Sequence, residues 1–194
     1  MALHYAGLPI ELRAVELRAL PDAARAVSPK ATVPALDLGD GAYISESWDI
    51  VKWALQQFDP DNWLGVNACH LPAAEALVAT NDGPFKHHLD RYKYADRYPE
   101  QAMEAYRLGC ERFIQQLNTS LEQQPFLLAE QITVADIAVF PFIRQFAMVD
   151  PVWFEQSPYP AVQRWLARML ATEWFKAAFS KQPIWQPGSA TRYL

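Results

Sequence analysis

Two adjacent polar residues, Glu46 and Ser47, stand directly before a run of apolar residues with helical spacing. The run consists of Trp48, Ile50, Val51, Trp53, Ala54, Leu55 and Phe58, so the polar pair is predicted to lie at a helix N-terminus. Free N–H groups and the helix dipole attract a carboxylate at such a terminus. The Glu46 carboxylate would attract an ammonium group. Together, the two residues are suited to bind the α-amino acid end of a ligand.

The second feature that could take part in ligand binding is a proline directly before a predicted strand. Val33-Pro34 precedes the apolar run 35–38, and residues 39–41, Gly-Asp-Gly, separate that run from 42–44 as in a hairpin. The cis form of an X-Pro bond costs only about 0.5–1 kcal/mol. A cis Val33-Pro34 bond is expected to turn the Val33 backbone toward solvent.

A purely structural role is the alternative for each polar residue alone. Ser47 would then be a helix cap, and Glu46 a first-turn charge that favours the helix dipole. Neither residue by itself distinguishes binding from capping. The ordered combination with Val33-Pro34 is more specific.

Composition excludes several classes of function. The 194 residues are 51% hydrophobic and 20% charged, which is typical of a folded globular protein. The net charge is −5 and the sequence has no Lys/Arg cluster, so nucleic acid is not an expected partner. No apolar run is long enough for a membrane span, and no signal peptide is recognisable. We therefore expect a cytoplasmic protein.

The cysteines and histidines do not predict a metal site. Cys69 and Cys110 are isolated and lack Cys-x-x-Cys spacing, which argues against a metal centre or a disulfide framework. His87 and His88 are adjacent, and neighbours in a helix point about 100° apart, so they do not converge on one ion. Cys110 is also predicted to lie on the buried stripe of a helix.

The element pattern changes at the turn-rich segment 59–62, Asp-Pro-Asp-Asn. Before it, the sequence predicts a short helix ending at Gly7, a strand over 10–15 and a helix over 21–27. After it, every element is predicted to be helical. Thr133 and Asp136 have the spacing of a capping box at the start of a buried helix. The predicted domains are residues 1–59 and 63–194.

Taken together, these motifs resemble the glutathione S-transferase family. The resemblance rests on Thr-Val-Pro-Ala-Leu at 32–36 followed by Glu46-Ser47, and on the capped helix at Thr133. Residues 85–98 and 140–147 resemble bacterial, omega-like members. The resemblance implies an α/β thioredoxin-like N-terminal domain followed by an all-α C-terminal domain.

What the resemblance implies about function is also specific. Glutathione would be the co-substrate, with its cysteinyl unit paired to the Val33 backbone and its γ-glutamyl end bound at Glu46 and Ser47. The other substrate would be a small hydrophobic electrophile. The family usually forms homodimers. The reaction would be conjugation of glutathione or thiol transfer.

The sequence departs from the family in its first residues. Family members begin with a strand and a turn that carries the catalytic group, whereas this sequence begins inside the following helix, so the N-terminal domain is predicted to be incomplete. No residue is assigned a catalytic role. Leu20 stands where relatives tend to carry a lysine. The alternatives are an inactive or impaired transferase, a non-catalytic binding or assembly protein, and an internal methionine taken as the start.

The first strand of the family would lie between the segments 10–15 and 35–38. Without it, the two segments are expected to close onto one another, to accept a strand from a neighbouring molecule, or to stay partly disordered, because unpaired strand edges invite other chains.

Aromatic residues after residue 62 suggest a second pocket. Trp63, Tyr92 and Tyr94 could line an apolar substrate pocket. The alternative is that these rings pack between helices, and the sequence favours that alternative.

Overall fold

The structure is a computed structural model that describes residues 1–28 and 30–194. In chain order the helices are α1 (Ala2–Tyr5), α2 (Asp22–Val27), α3 (Ser47–Gln57), α4 (Leu71–Thr80), α5 (Lys86–Lys93), α6 (Met103–Gln123), α7 (Val134–Val149), α8 (Pro151–Gln156), α9 (Pro160–Ala171) and α10 (Glu173–Ala178). The strands are β1 (Leu36–Gly39) and β2 (Ala42–Ile44). Short 3₁₀ turns occupy Leu17–Ala19, Val66–Ala68 and Ala95–Arg97, and a π turn occupies Asn81–Phe85.

The chain forms two compact units, and each has its own core. The first contains residues 1–61 together with 173–194, and the second contains residues 62–172. The first unit is a small thioredoxin-like α/β domain and the second is entirely helical. This confirms the predicted fold class.

The sheet of the first unit is a hairpin. Among the described residues it has two strands, β1 and β2, which pair antiparallel with Leu36 opposite Ile44. Gly39, Asp40 and Gly41 between them all have positive φ angles, a conformation that glycine adopts without steric cost. The predicted hairpin and its glycine turn are confirmed.

The predicted strand over residues 10–15 is extended but does not join this sheet. Its segment forms isolated bridges with the C-terminal tail instead, between Glu11 and Tyr193 and between Ala14 and Ile184. The Leu12 amide donates to the carbonyl of Arg192 at 2.8 Å. The pairing of the tail with residues far earlier in the chain was not expected from local sequence.

Residues 173–194 belong with the first unit, although the sequence placed them in the helical domain. The rings of Tyr5 in α1 and Trp174 in α10 pack in a T-shaped arrangement, with centroids 5.6 Å apart. The tail then pairs with residues 10–14 as described above. These contacts hold residues 173–194 against the rest of the first unit.

The helical unit is built around α6 and α7. Helix α6 packs against α5 and α9, and α7 packs against α4 and α9. Aromatic rings fill the spaces between them: the Phe85 centroid lies 5.2 Å from that of Phe113 and 6.0 Å from that of Phe146. Cys110 is fully buried on this stripe, as predicted.

The start of α7 forms the predicted capping box. Thr133 and Asp136 exchange side-chain and backbone hydrogen bonds. The buried Asp136 carboxylate also accepts from the Leu127 amide at 2.9 Å and from the indole Nε1 of Trp165 at 2.7 Å. One carboxylate therefore joins the loop before α7, the helix itself and α9.

Candidate functional site

The first part of the candidate site is the N-terminus of α3. Glu46 is the N-cap residue with extended backbone angles, and Ser47 is the first helical residue. No side chain caps this terminus among the described residues. The first N–H groups of a helix have no acceptor within the helix, so those at the start of α3 can bind an anion. Ser47 contributes such a backbone donor rather than a capping hydroxyl.

The Glu46 carboxylate forms an ion pair that the sequence did not predict. Lys30 Nζ donates to Glu46 Oε1 at 2.7 Å, and both side chains are largely exposed, at 70% and 58%. The neighbouring carboxylate raises the pKa of Lys30. The pair shows that Glu46 is accessible to a cation from solvent.

The loop that carries Val33 is held by Ser28. The Ser28 hydroxyl donates to the Thr32 carbonyl at 2.8 Å and accepts from the Thr32 amide at 3.1 Å. The Val33-Pro34 peptide bond is cis, the form that the sequence analysis considered for it. Val33 is 45% exposed, and within the described residues its backbone amide and carbonyl make no hydrogen bond. An extended ligand could therefore pair with the Val33 backbone.

Lys30 connects the loop that carries Val33 with the start of α3. Lys30 lies in the same loop as Val33 and contacts Glu46 at the start of α3. The site thus offers a free backbone edge, a carboxylate and a helix N-terminus within one region of the first unit. Groups of these types pair with the backbone, the ammonium and the carboxylate of a peptide-like molecule that has an α-amino acid end.

Lys30 is the residue that sequence reasoning missed. It precedes Val33 by three positions and Glu46 by sixteen, so no helical or strand periodicity connects it to either residue. The one sequence feature that could have pointed to Lys30 is that it is a single cationic residue shortly before Val33-Pro34.

Two of the residues that could supply a nucleophile, Tyr5 and Cys110, are hydrogen-bonded or buried. The Tyr5 hydroxyl donates to Asp59 Oδ1 at 3.0 Å and accepts from the Asp61 amide at 2.7 Å, and burial raises its pKa. Burial also raises the pKa of the Cys110 thiol to about 12. Thiols in that state are poor nucleophiles at neutral pH. Cys69 is exposed, with its sulfur 4.0 Å from Nδ1 of His70.

Trp63, Tyr92 and Tyr94 lie in the helical unit and differ in exposure. Trp63 and Tyr92 are each only 1% exposed. Trp63 accepts a backbone bond from Val134 at 3.0 Å, and the Tyr92 ring packs 5.6 Å from that of Phe146. Tyr94 is partly exposed and is flanked by Lys93 and Arg97. The burial of two of the three rings favours packing over a pocket, and the second pocket stays a prediction.

The described part of the chain contains neither a helix suited to span a membrane nor a cluster suited to hold a metal ion. No helix there is long and apolar enough to cross a bilayer. No group of three or more His, Cys, Asp or Glu side chains in the same residues is arranged to hold a metal ion.

Comparison with known proteins places the two units beside one family. The family model of the glutathione S-transferase N-terminal domain matches residues 1–62, and that of the glutathione S-transferase C-terminal domain matches residues 100–168. Solved structures are similar over most of the chain. BphK, a bacterial glutathione S-transferase solved as a ternary complex, is 25% identical with a TM-score of 0.76, over 91% of this chain and 89% of that one.

Two further structures share the fold. A glutathione transferase family member from Pseudomonas fluorescens Pf-5, solved with two glutathione molecules bound, has a TM-score of 0.74 and 23% identity, over 91% of this chain and 84% of that one. A glutathione transferase from Burkholderia graminis, with two glutathione molecules per subunit, has a TM-score of 0.74 and 22% identity, over 91% and 79%.

Proposed function

The chain belongs to the glutathione S-transferase family, and from this premise we propose that its first unit binds glutathione at Val33, Glu46 and Ser47. The γ-glutamyl carboxylate accepts from the first N–H groups of α3, and the γ-glutamyl ammonium binds the Glu46 carboxylate. The cysteinyl unit pairs with the Val33 backbone. The observation that carries the proposal is the accessible N-terminus of α3 next to the exposed Glu46 side chain.

The reaction of the proposed function is transfer of the glutathione thiol to a small apolar electrophile, by conjugation or thiol exchange. No residue of this chain is assigned the role of activating the thiol. The omega-like subtype, a cytoplasmic location and a homodimeric assembly belong to the same proposal and rest on the family resemblance.

A binding protein without transferase chemistry is the second candidate. The state of Tyr5 and Cys110 favours it: the Tyr5 hydroxyl is already hydrogen-bonded twice, and the Cys110 thiol is buried with a pKa of about 12. The two candidates share the glutathione site and differ only in whether bound glutathione reacts.

Calorimetric titration with glutathione tests the site. Ser47→Pro removes the N–H donor at the first helical position while keeping the helix, because proline is well tolerated there. The extended backbone of Glu46 suits a residue before proline. We expect at least about tenfold weaker binding, since a hydrogen bond to a charged group contributes about 1.5–3 kcal/mol. Ser47→Ala is the matched control, because it keeps the N–H and removes only the hydroxyl.

The role of the Glu46 carboxylate is also tested by calorimetric titration with glutathione. Glu46→Gln keeps the size of the side chain and removes its charge, and we expect about tenfold weaker binding of glutathione. Equal affinities of Ser47→Pro, Glu46→Gln and the unchanged chain would refute the proposed site. Turnover of an aromatic halide electrophile with glutathione, followed by absorbance, separates the enzyme from the binding protein.

A further inference from the structure

Helices α5 and α6 approach each other closely at His88 and Gly109. A Cβ atom at Gly109 would lie 2.4 Å from Nδ1 of the His88 ring and 2.5 Å from its Cγ. Distances this short show that the imidazole occupies the space that a side chain at position 109 would need. Glycine leaves the backbone of α6 open to such an approach. The His88 ring is therefore part of the packing between the two helices.

The buried nitrogen of the His88 ring has no partner. Within the described residues, Nδ1 of His88 makes no hydrogen bond and is closed off from solvent. A neutral imidazole can keep its proton on Nε2, so that Nδ1 carries none. An imidazolium has an N–H on both nitrogens, and a charged N–H that is buried without an acceptor costs free energy. This position therefore favours the neutral ring.

The charged groups that act on His88 are cationic. On its own helix they are Arg91 and, when it is protonated, His87, whose ring lies 5.4 Å away in a T-shaped arrangement. On α6 the group is Arg112. Burial of the ring, together with these neighbours, lowers the pKa of His88. A proton on His88 would therefore add a positive charge beside others.

Carboxylates on the two helices pair with other groups. Asp90 of α5 forms an ion pair with Lys86 of the same helix. Glu111 of α6 pairs with Arg107, whose Nε lies 3.2 Å from Glu111 Oε1. In the part of the chain that the structure describes, no carboxylate forms an ion pair with His88. A protonated His88 would thus have no negative charge to compensate it in this arrangement.

We propose that His88 makes the contact between α5 and α6 sensitive to protons, so that the helices pack while the imidazole is neutral and loosen when it is protonated. Histidine suits this role because it ordinarily titrates near pH 6.5. Because the packed helices hold His88 neutral, the opened chain binds one more proton below about pH 6.5, and the packed form loses stability as the pH falls. The proposed glutathione site lies in the first unit, so this inference does not rest on the proposed function.

Amide hydrogen exchange of the full chain at pH 7.5 and 5.5 tests the proposal, with each rate corrected for the intrinsic exchange of an unfolded peptide at that pH. One histidine can change the opening equilibrium by up to about tenfold at one pH unit below its ordinary pKa. We expect the protection of the α5 amides to fall about three- to tenfold between the two pH values. The amides of α9 are the reference, and their protection is expected to change by less than about twofold.

Variants identify the group that titrates. His88→Gln has no titratable side chain and is expected to remove most of the fall in α5 protection. His87→Gln is the matched control, because His87 is exposed on the same helix, and it is expected to keep the fall. Arg112→Gln removes a neighbouring charge at an exposed position and is expected to make the fall smaller. Each variant is compared with itself at the two pH values, so a general loss of stability does not affect the result.

A direct titration of the ring complements the exchange measurements. The Cε1–H resonance of His88, assigned by its absence in His88→Gln, is expected to titrate below the ordinary pKa of about 6.5 in the unchanged chain. Three results would overturn the proposal: titration of His88 at or above that value, an undiminished fall in His88→Gln, and an equal fall in α5 and α9. Glutathione titration is a separate measurement, so none of these results affects the proposed function.

Discussion

Lys30 Nζ lies 2.7 Å from Glu46 Oε1 and so occupies the carboxylate that we assign to the ammonium group of glutathione. Ion pairs this exposed contribute little to stability. The ligand ammonium can therefore displace Lys30 at small cost, but the two cations compete for one carboxylate.

Removal of the competing cation is the first prediction. Lys30→Met is expected to tighten glutathione binding about two- to fivefold, within the range measured for exposed pairs, and to leave the melting temperature almost unchanged. Calorimetry and thermal melting measure the two effects. Weaker binding would mean that Lys30 contacts a carboxylate of glutathione instead, which would contradict the competition.

The second prediction concerns the buried carboxylate of Asp136. Asp136→Ala leaves the donors of Leu127, Thr133 and Trp165 without their acceptor, and each such loss costs about 1–3 kcal/mol. We expect the free energy of unfolding to fall by about 3–5 kcal/mol in urea titrations. Asp150→Ala is the control: its side chain caps α8 through the Trp153 amide at 3.0 Å, and loss of such a cap costs about 1 kcal/mol. Similar losses for the two variants would contradict the network.

The third prediction concerns close packing between α5 and α6. A Cβ atom at Gly109 would lie 2.4 Å from Nδ1 of His88. Alanine favours a helix interior by about 1 kcal/mol over glycine, but overpacking costs about 1–3 kcal/mol. Gly109→Ala is therefore expected to destabilise the helical unit.

A double variant tests the cause of that loss. In a His88→Ala background the ring is gone, so Gly109→Ala is expected to stabilise by about 0.5–1 kcal/mol. Urea titration of the four proteins gives the coupling energy. If Gly109→Ala has the same effect in both backgrounds, the loss does not come from the His88 ring.

The fourth prediction separates the two thiols. Cys110 is fully buried with a pKa of about 12, whereas Cys69 is exposed. Below that pKa the Cys110 thiol stays protonated and unreactive. A disulfide reagent at pH 8 is expected to label one thiol per folded chain and two in denaturant. Cys69→Ser is expected to abolish labelling of the folded chain, and rapid labelling of that variant would contradict the burial of Cys110.

Features that depend on neighbours in sequence could be predicted from the sequence. The Thr133–Asp136 capping box and the Gly39–Gly41 turn are each set by residues a few positions apart. The short first helix, the helix over 22–27, the hairpin and α3 follow from the same local signals, whereas the predicted strand over 10–15 forms only isolated bridges with the tail. Such features need no knowledge of distant contacts.

Features that depend on distant residues could not be predicted in this way. Lys30 reaches Glu46 across sixteen positions, and Leu12 pairs with Arg192 near the other end of the chain. Asp136 was predicted as a capping residue, but its bond to Trp165 depends on how α7 and α9 pack. Secondary-structure propensity and hydrophobic periodicity describe neighbouring residues and do not predict contacts between residues far apart in the sequence.

The pairing between residues 10–14 and the C-terminal tail has a consequence for biosynthesis. Domains generally fold as they leave the ribosome, N-terminal part first. Here the segment around Leu12 obtains its hydrogen-bond partner at Arg192 only when translation reaches the tail. The helical unit emerges in between and can fold first, so the order of folding is expected to reverse the order of synthesis.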